Sequence, residues 1–140
     1  MKKILSNRRG EADYITSVIL IIIVVMMIVL VINVFSVVIV KQKLDSCADQ
    51  MVRQIQLSGS VNTDTQVLFD TLTGGIYGIT TPQYSVDTAY LSGSKIQLGT
   101  AFTVTIKAKV TFGGFGDMIA IPFMLTSKSA GVSEVYHKNG

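Results

Sequence analysis

Residues 15–40 form a nearly unbroken apolar run, interrupted only by Thr16, Ser17, Asn33 and Ser36. About 26 residues at ~1.5 Å each make ~39 Å of helix, enough to cross a ~30 Å hydrocarbon core with some tilt. The pattern then changes without a break. From residue 41 to 57 the apolar positions Leu44, Cys47, Ala48, Met51, Val52 and Ile55 recur at steps of three and four, which is one face of a helix. Asp45, Asp49, Gln50, Arg53 and Gln54 fill most of the other face, and Asp49 and Arg53 stand four apart as a favourable ion pair. Ser58-Gly59-Ser60 supplies a stop, with Gly59 suited to a left-handed cap. The spacing therefore predicts one helix of about 40 residues, apolar all round at first and amphipathic afterwards.

Beyond residue 59 the period changes to two. Phe102, Val104, Ile106, Ala108, Val110 and Phe112 alternate with Thr103, Thr105, Lys107, Lys109 and Thr111, a strand with one buried and one wet face. Gly113-Gly114-Phe115-Gly116 breaks it, and a second strand is expected over 118–128, with Ile119, Ile121, Phe123 and Leu125 on one face. Pro122 lacks a ladder donor, so an edge position or a bulge is expected there. Further strands are expected at 83–91 and 95–98, with a bend at Gly131 before a short terminal strand at 132–137. Residues 64–72 read as a short helix started by Thr63 or Asp64 and ended by Gly74-Gly75. The expected architecture is α+β: a long N-terminal helix whose outer half packs on a small antiparallel sheet. Its parts are a basic leader (1–14), a transmembrane helix (15–40), an amphipathic extension (41–58) and a mostly β domain (59–140).

Charge refines this picture. The net charge is +3, but Lys2, Lys3, Arg8 and Arg9 all precede the apolar run, against Glu11 and Asp13. After Val40 eight Lys and Arg face seven Asp and Glu, so the distal domain offers no basic surface for nucleic acid. Positive flanks stay cytoplasmic, which places the N-terminus inside and the C-terminal domain outside the cell membrane. A cleaved secretory signal fits poorly, because its apolar core runs only ~7–15 residues and Lys41-Gln42-Lys43 separates this one from Ser46, Cys47 and Ala48. Leu44-Asp45-Ser46-Cys47 fails as a lipoprotein box because of Asp45.

Certain residues within this frame invite a chemical role. Asn33 and Ser36 lie on one face inside the apolar run, where polar side chains either bond across a helix–helix contact or satisfy themselves on their own backbone. Packing among copies of the helix favours the first reading, an isolated anchor the second. Glu11 and Asp13 fit a helix start, where negative charge meets the positive end of the dipole. Cys47, the single cysteine, falls on the apolar stripe and is expected to be buried against the sheet. His137 is the single histidine, expected at the surface or in a strand. Lys107 and Lys109 read as solubility or edge protection. The glycines at 113–116 lack the Lys and Ser/Thr of a phosphate loop. No nucleophile–base set or metal-ligand cluster assembles from one histidine and scattered acids, so neither catalysis nor a cofactor is expected.

The leader ending in Arg8-Arg9-Gly10, followed by Glu11, Asp13, Tyr14 and the apolar run, resembles the start of prepilins, closest to the Tad or Flp branch and its TadE-like pseudopilins. The stretch 95–138, with Phe112-Gly-Gly-Phe-Gly116 and Ser133-Glu-Val-Tyr136, also looks like an uncharacterised Gram-positive family of small membrane-anchored proteins, found among conjugation or secretion genes. The resemblance implies that a prepilin peptidase cuts between Gly10 and Glu11, and that an acid near the new terminus neutralises a neighbouring subunit's amine, as a buried charge requires. Here Ile15 holds the place of that family's glutamate, and the acids fall at Glu11 and Asp13. It further implies a pilin-like subunit of a secretion or conjugation apparatus, with membrane lipid, other pilin-like subunits and assembly proteins as partners. The alternative is a single-pass anchored binding domain that never polymerises.

Overall fold

The computed structural model describes residues 2–114 and 119–138, with side chains over 13–111 and 120–138. Helix α1 (Lys2–Ser58) is continuous for 57 residues. It takes in the stretch expected to be a separate leader, so Glu11 and Asp13 lie well inside the helix and not at its dipole end. At the other end, Gly59 takes φ +62° and its N–H bonds to Ile55 O at 2.8 Å, the left-handed stop its sequence promised.

Helix α2 (Thr63–Gly74) follows after a short connection. Its cap is Asn62, one residue before the expected start: the Asn62 side chain accepts from Asp64 N–H (3.1 Å) and Thr65 N–H (3.3 Å), while Thr65 Oγ1 accepts from Asn62 N–H (3.4 Å). That reciprocal box satisfies donors the helix itself leaves open.

Among the described residues the sheet has three strands, β1 (Ile79–Thr88), β2 (Ala101–Gly114) and β3 (Ile119–Val132), antiparallel and in spatial order 1-2-3. The alternation read for β2 holds: Phe102, Val104, Ile106, Ala108 and Val110 are buried, while Lys107 and Lys109 are exposed. Pro122 sits in edge strand β3 with its register to Thr111 uninterrupted. The bulge comes at the other proline instead, between Thr80 and Gln83 of edge strand β1, where Thr81 takes φ +46° beside Pro82.

Two expected strands do not form. The segment at 95–98 makes only isolated bridges from Lys95 to Ser60 and Ser92, because Ile96 is drawn under the end of α1 and its N–H bonds to Gly59 O at 2.7 Å. The tail at 133–138 is irregular, and β3 runs unbent through Gly131 to Val132. β1 also begins earlier than read, at Ile79, and stops at Thr88.

One face of the sheet is covered by α1, which packs on β2 and β3, while α2 packs against α1 and sets Phe69 against Tyr84 of β1 with ring centroids 4.8 Å apart. Val40, Leu44, Cys47, Ala48, Met51, Val52 and Ile55 make up close to half of the buried apolar set. The outer part of α1 is thus half the core of the domain, each full-size apolar side chain there contributing about 1.5–3 kcal/mol.

Candidate functional site

The most conspicuous feature is what the domain leaves uncovered. Between residues 13 and 58, α1 contains an 18-residue stretch of mean hydropathy 3.5 with no buried residue. Leu20, Ile21, Met27, Leu30 and Phe35 all stand exposed. An exposed apolar surface of this length has no place in water and fits a single-pass membrane anchor.

Where the sheet meets this helix, a polar ladder forms the seam. Ser127 Oγ donates to Asp45 Oδ1 at 2.5 Å, and Ser129 Oγ donates to Asp49 Oδ1 at 2.6 Å. One step further, Gly131 stands where an added Cβ would fall 2.6 Å from Val52 Cγ1 and 2.9 Å from Gln56 Nε2. The geometry follows from two commensurate repeats. Two strand residues advance ~6.6 Å and four helical residues ~6 Å, so every second residue of β3 meets every fourth of α1. Asp45 also pairs with Lys41, among the described residues the only ion pair. The Lys41 hydrogen bond first, and that of Ser127 second, hold the Asp45 carboxyl below the usual carboxylate range. The expected Asp49–Arg53 pair does not form, since Asp49 takes the strand hydroxyl instead.

The same ladder continues toward the apolar run. Val29, Asn33, Val37 and Lys41, four apart, are half-buried, while the other residues from 30 to 39 are exposed. Near the outer end of the run, Asn33, Ser36 and Val37 line a cleft of about 190 Å³ together with Tyr77, Val110 and Thr111. Both polar residues are satisfied within the helix: Asn33 Nδ2 donates to Val29 O at 2.9 Å and Ser36 Oγ to Ile32 O at 3.0 Å. Asp13 is exposed, and its carbonyl accepts from Ser17 Oγ at 2.9 Å. Gly10 and Glu11 are helical, with their side-chain surroundings outside the described residues; Phe115 and Gly116, where a strand break was expected, also lie outside the described residues. Asn33 and Ser36 therefore come together, while Gly10, Glu11 and Asp13 stand ~30 Å away along the helix axis.

Cys47 is buried as expected, and burial pushes its thiol up to about 11. His137 does more than sit at the surface. Its Nε2 lies 2.9 Å from Gly59 O, so the ring donates there, and its backbone pairs in both directions with the Gln97 amide (2.8 and 3.0 Å). With Glu134 N–H on Gln56 O at 3.2 Å, the tail straps the end of α1 to the domain. Among the described residues no three metal-ligating side chains converge.

In the sequence the seam residues Ser127 and Ser129 do not stand out, and Gly131 reads only as a bend. The available signal was a period-two row of small residues in β3 matching a period-four row of Asp45 and Asp49 in α1.

Fold and seam together define an α+β protein: a long N-terminal apolar helix carrying a small three-stranded antiparallel sheet. The chain belongs to the family described as a domain of unknown function (DUF4320), which matches residues 21–138. That match includes most of the apolar run, the seam and the whole sheet. No curated protein and no solved structure matches this chain.

Proposed function

We propose that this chain is a pilin-like or pseudopilin structural subunit of a cell-envelope secretion or conjugation apparatus, non-catalytic, with its N-terminus in the cytoplasm and its sheet outside the cell. The observation that carries this reading is the division of α1. Its outer part is consumed by its own domain's core, while its inner part is apolar on nearly every side and contains an 18-residue stretch with no buried residue among those described. Lipid covers such a surface in the waiting subunit, and the same surface on other copies covers it on assembly, through close helix packing. The resemblance of Gly10-Glu11 to a prepilin cleavage site adds a processing step before assembly.

A second reading, a single-pass anchor that displays its sheet and never polymerises, draws on one observation. Asn33 and Ser36 already bond their own backbone and need no neighbour. Disulfide trapping in native membranes separates the two, using single cysteines at Ile19, Met26 and Asn33 in a Cys47→Ala background. Subunit assembly gives ladders of cross-linked species with a preferred helix face; the lone anchor gives monomer with at most collisional dimer. Intact mass of the chain from its host then tests processing, which removes residues 1–10.

A further inference from the structure

The sheet does not stand clear of the membrane segment. On α1 the sheltered row Val29, Asn33, Val37 lies inside the 15–40 apolar run, and the cleft at Asn33 is lined from the domain side by Tyr77 and by Val110 of β2. Beyond Val110, β2 continues to Gly114 and pairs with β3 back to Ile119. The end of the sheet therefore runs beside the last ~15 Å of the run, from about Val40 back to Val29.

This fixes its depth. Tyr14, exposed at the inner end of the run, and the level of Asn33 are about 20 residues apart, or ~30 Å of helix, the thickness of the hydrocarbon core. Tyr77 thus stands at the outer boundary as Tyr14 stands at the inner one, where membrane proteins concentrate tyrosine. Tyr77 is 95% exposed and Ile121 on β3, in register with Phe112 two residues beyond Val110, is 57% exposed, an apolar end uncovered among the described residues. Lys109 and Lys107 follow one and three residues further out along β2, both exposed, with Lys43 exposed on α1 near the same level. Apolar tip, tyrosine at the boundary and lysines just outside it match the order of acyl chain, interface and phosphate in a bilayer leaflet.

We propose that the end of the sheet around Tyr77 and Ile121 is a lipid-docking surface that seats the domain in the outer interfacial layer of the bilayer α1 crosses, with Lys107 and Lys109 against anionic headgroups. The proposal rests on α1 spanning that bilayer. The domain is then held by two contacts, helix and sheet tip, and stands at a fixed angle instead of swinging on a tether.

The chain has no tryptophan, so single tryptophans report position directly. The full chain is reconstituted into phosphatidylcholine vesicles, with and without phosphatidylglycerol, as three variants: Ile28→Trp in the run, Tyr77→Trp at the tip and Tyr136→Trp at the far end. Docking gives Ile28→Trp quenching by bromines deep in the acyl chains and Tyr77→Trp quenching by shallow bromines. Emission from Tyr77→Trp lies to the blue of Tyr136→Trp, and iodide quenches it several-fold less. If Tyr77→Trp is as open to iodide as Tyr136→Trp while Ile28→Trp is quenched by lipid, docking is wrong and the anchor stands. An Ile28→Trp signal untouched by lipid removes the anchor and docking together. Adding Lys107→Glu and Lys109→Glu shifts the tip signal toward water only when phosphatidylglycerol is present; an unchanged signal excludes the lysines from the contact.

Discussion

The two parts of α1 share one unbroken backbone and differ in everything outside it. Leu30 and Leu44 are the same residue on the same helix, yet Leu30 is 58% exposed and Leu44 is fully buried. Among the described residues the inner part is apolar around most of its circumference and meets the domain only near Tyr77, Val110 and Thr111; the outer part has a narrow apolar stripe used by its own domain. A tether and a core element have therefore been fused, and no hinge separates them. Movement of the domain relative to the membrane segment would require bending a continuous helix, which carries neither Gly nor Pro between residues 11 and 58.

The sharpest way to break this comparison is truncation. A chain beginning at Val38 keeps Val40, Leu44, Met51 and Ile55, and is expected to fold in water; a chain beginning at Gly59 loses close to half its core and is expected to be unfolded by circular dichroism. Point substitution asks the same question more finely. Leu44→Ala should cost about 2–5 kcal/mol in urea unfolding of the domain. Leu30→Ala should leave that midpoint unmoved, and the chain should stay in the membrane fraction, because one such change is small against the whole apolar run.

Alkaline titration is the next largest effect. The Cys47 thiol is raised to about 11 from 9.0, so the folded state holds its proton where the unfolded chain has released it. Stability is then full below about pH 9 and falls as pH rises to about 11, by at most about 2–3 kcal/mol. Tyr84 and Tyr90 are raised as well, chiefly by burial, and act in the same direction. The difference between wild type and Cys47→Ala across this window isolates the thiol, and iodoacetamide should label Cys47 at pH 8 only after unfolding.

Gly131→Ala sharpens the comparison at the seam. Its new methyl group meets Val52 and Gln56, and overpacking of this kind costs about 1–3 kcal/mol. The same substitution at Gly74, where an added Cβ meets nothing within 4 Å, should not reproduce that loss. The smallest effect belongs to Asp45. Its lowered carboxyl contributes stability that is present above about pH 4 and lost as the pH falls further. With the Lys41–Asp45 pair only half-shielded, screening holds the loss in Asp45→Asn to about 1 kcal/mol or less, and the wild-type acid transition should move toward neutral pH in that variant.

Periodicity carried much of this protein into view. The apolar run, the stripe from Leu44 to Ile55, the Gly59 stop and the alternation of β2 are local patterns, and a local pattern is enough when one period of backbone geometry selects one face. The strands misplaced at 95–98 and 132–137 failed for the complementary reason. Each is a short stretch of mixed polarity drawn to the end of α1: Ile96 through Gly59 O, and the tail through Gln56 and Gly59, with Gln97 joining the two stretches. Gly131 looked like a bend because glycine bends chains, but what it supplies here is room for Val52.

By itself, then, the chain's order of residues determined that a long apolar helix runs into an amphipathic one and that a small antiparallel sheet follows, because helix and strand repeats are properties of neighbours in sequence. Only the tertiary structure decided that β3 lies in step with α1 through Ser127–Asp45 and Ser129–Asp49, and that Tyr77 is brought beside Asn33. Those partners are separated by some 40 to 80 positions, and no local period relates them: their meeting depends on which face of the sheet the helix crosses, and at what height.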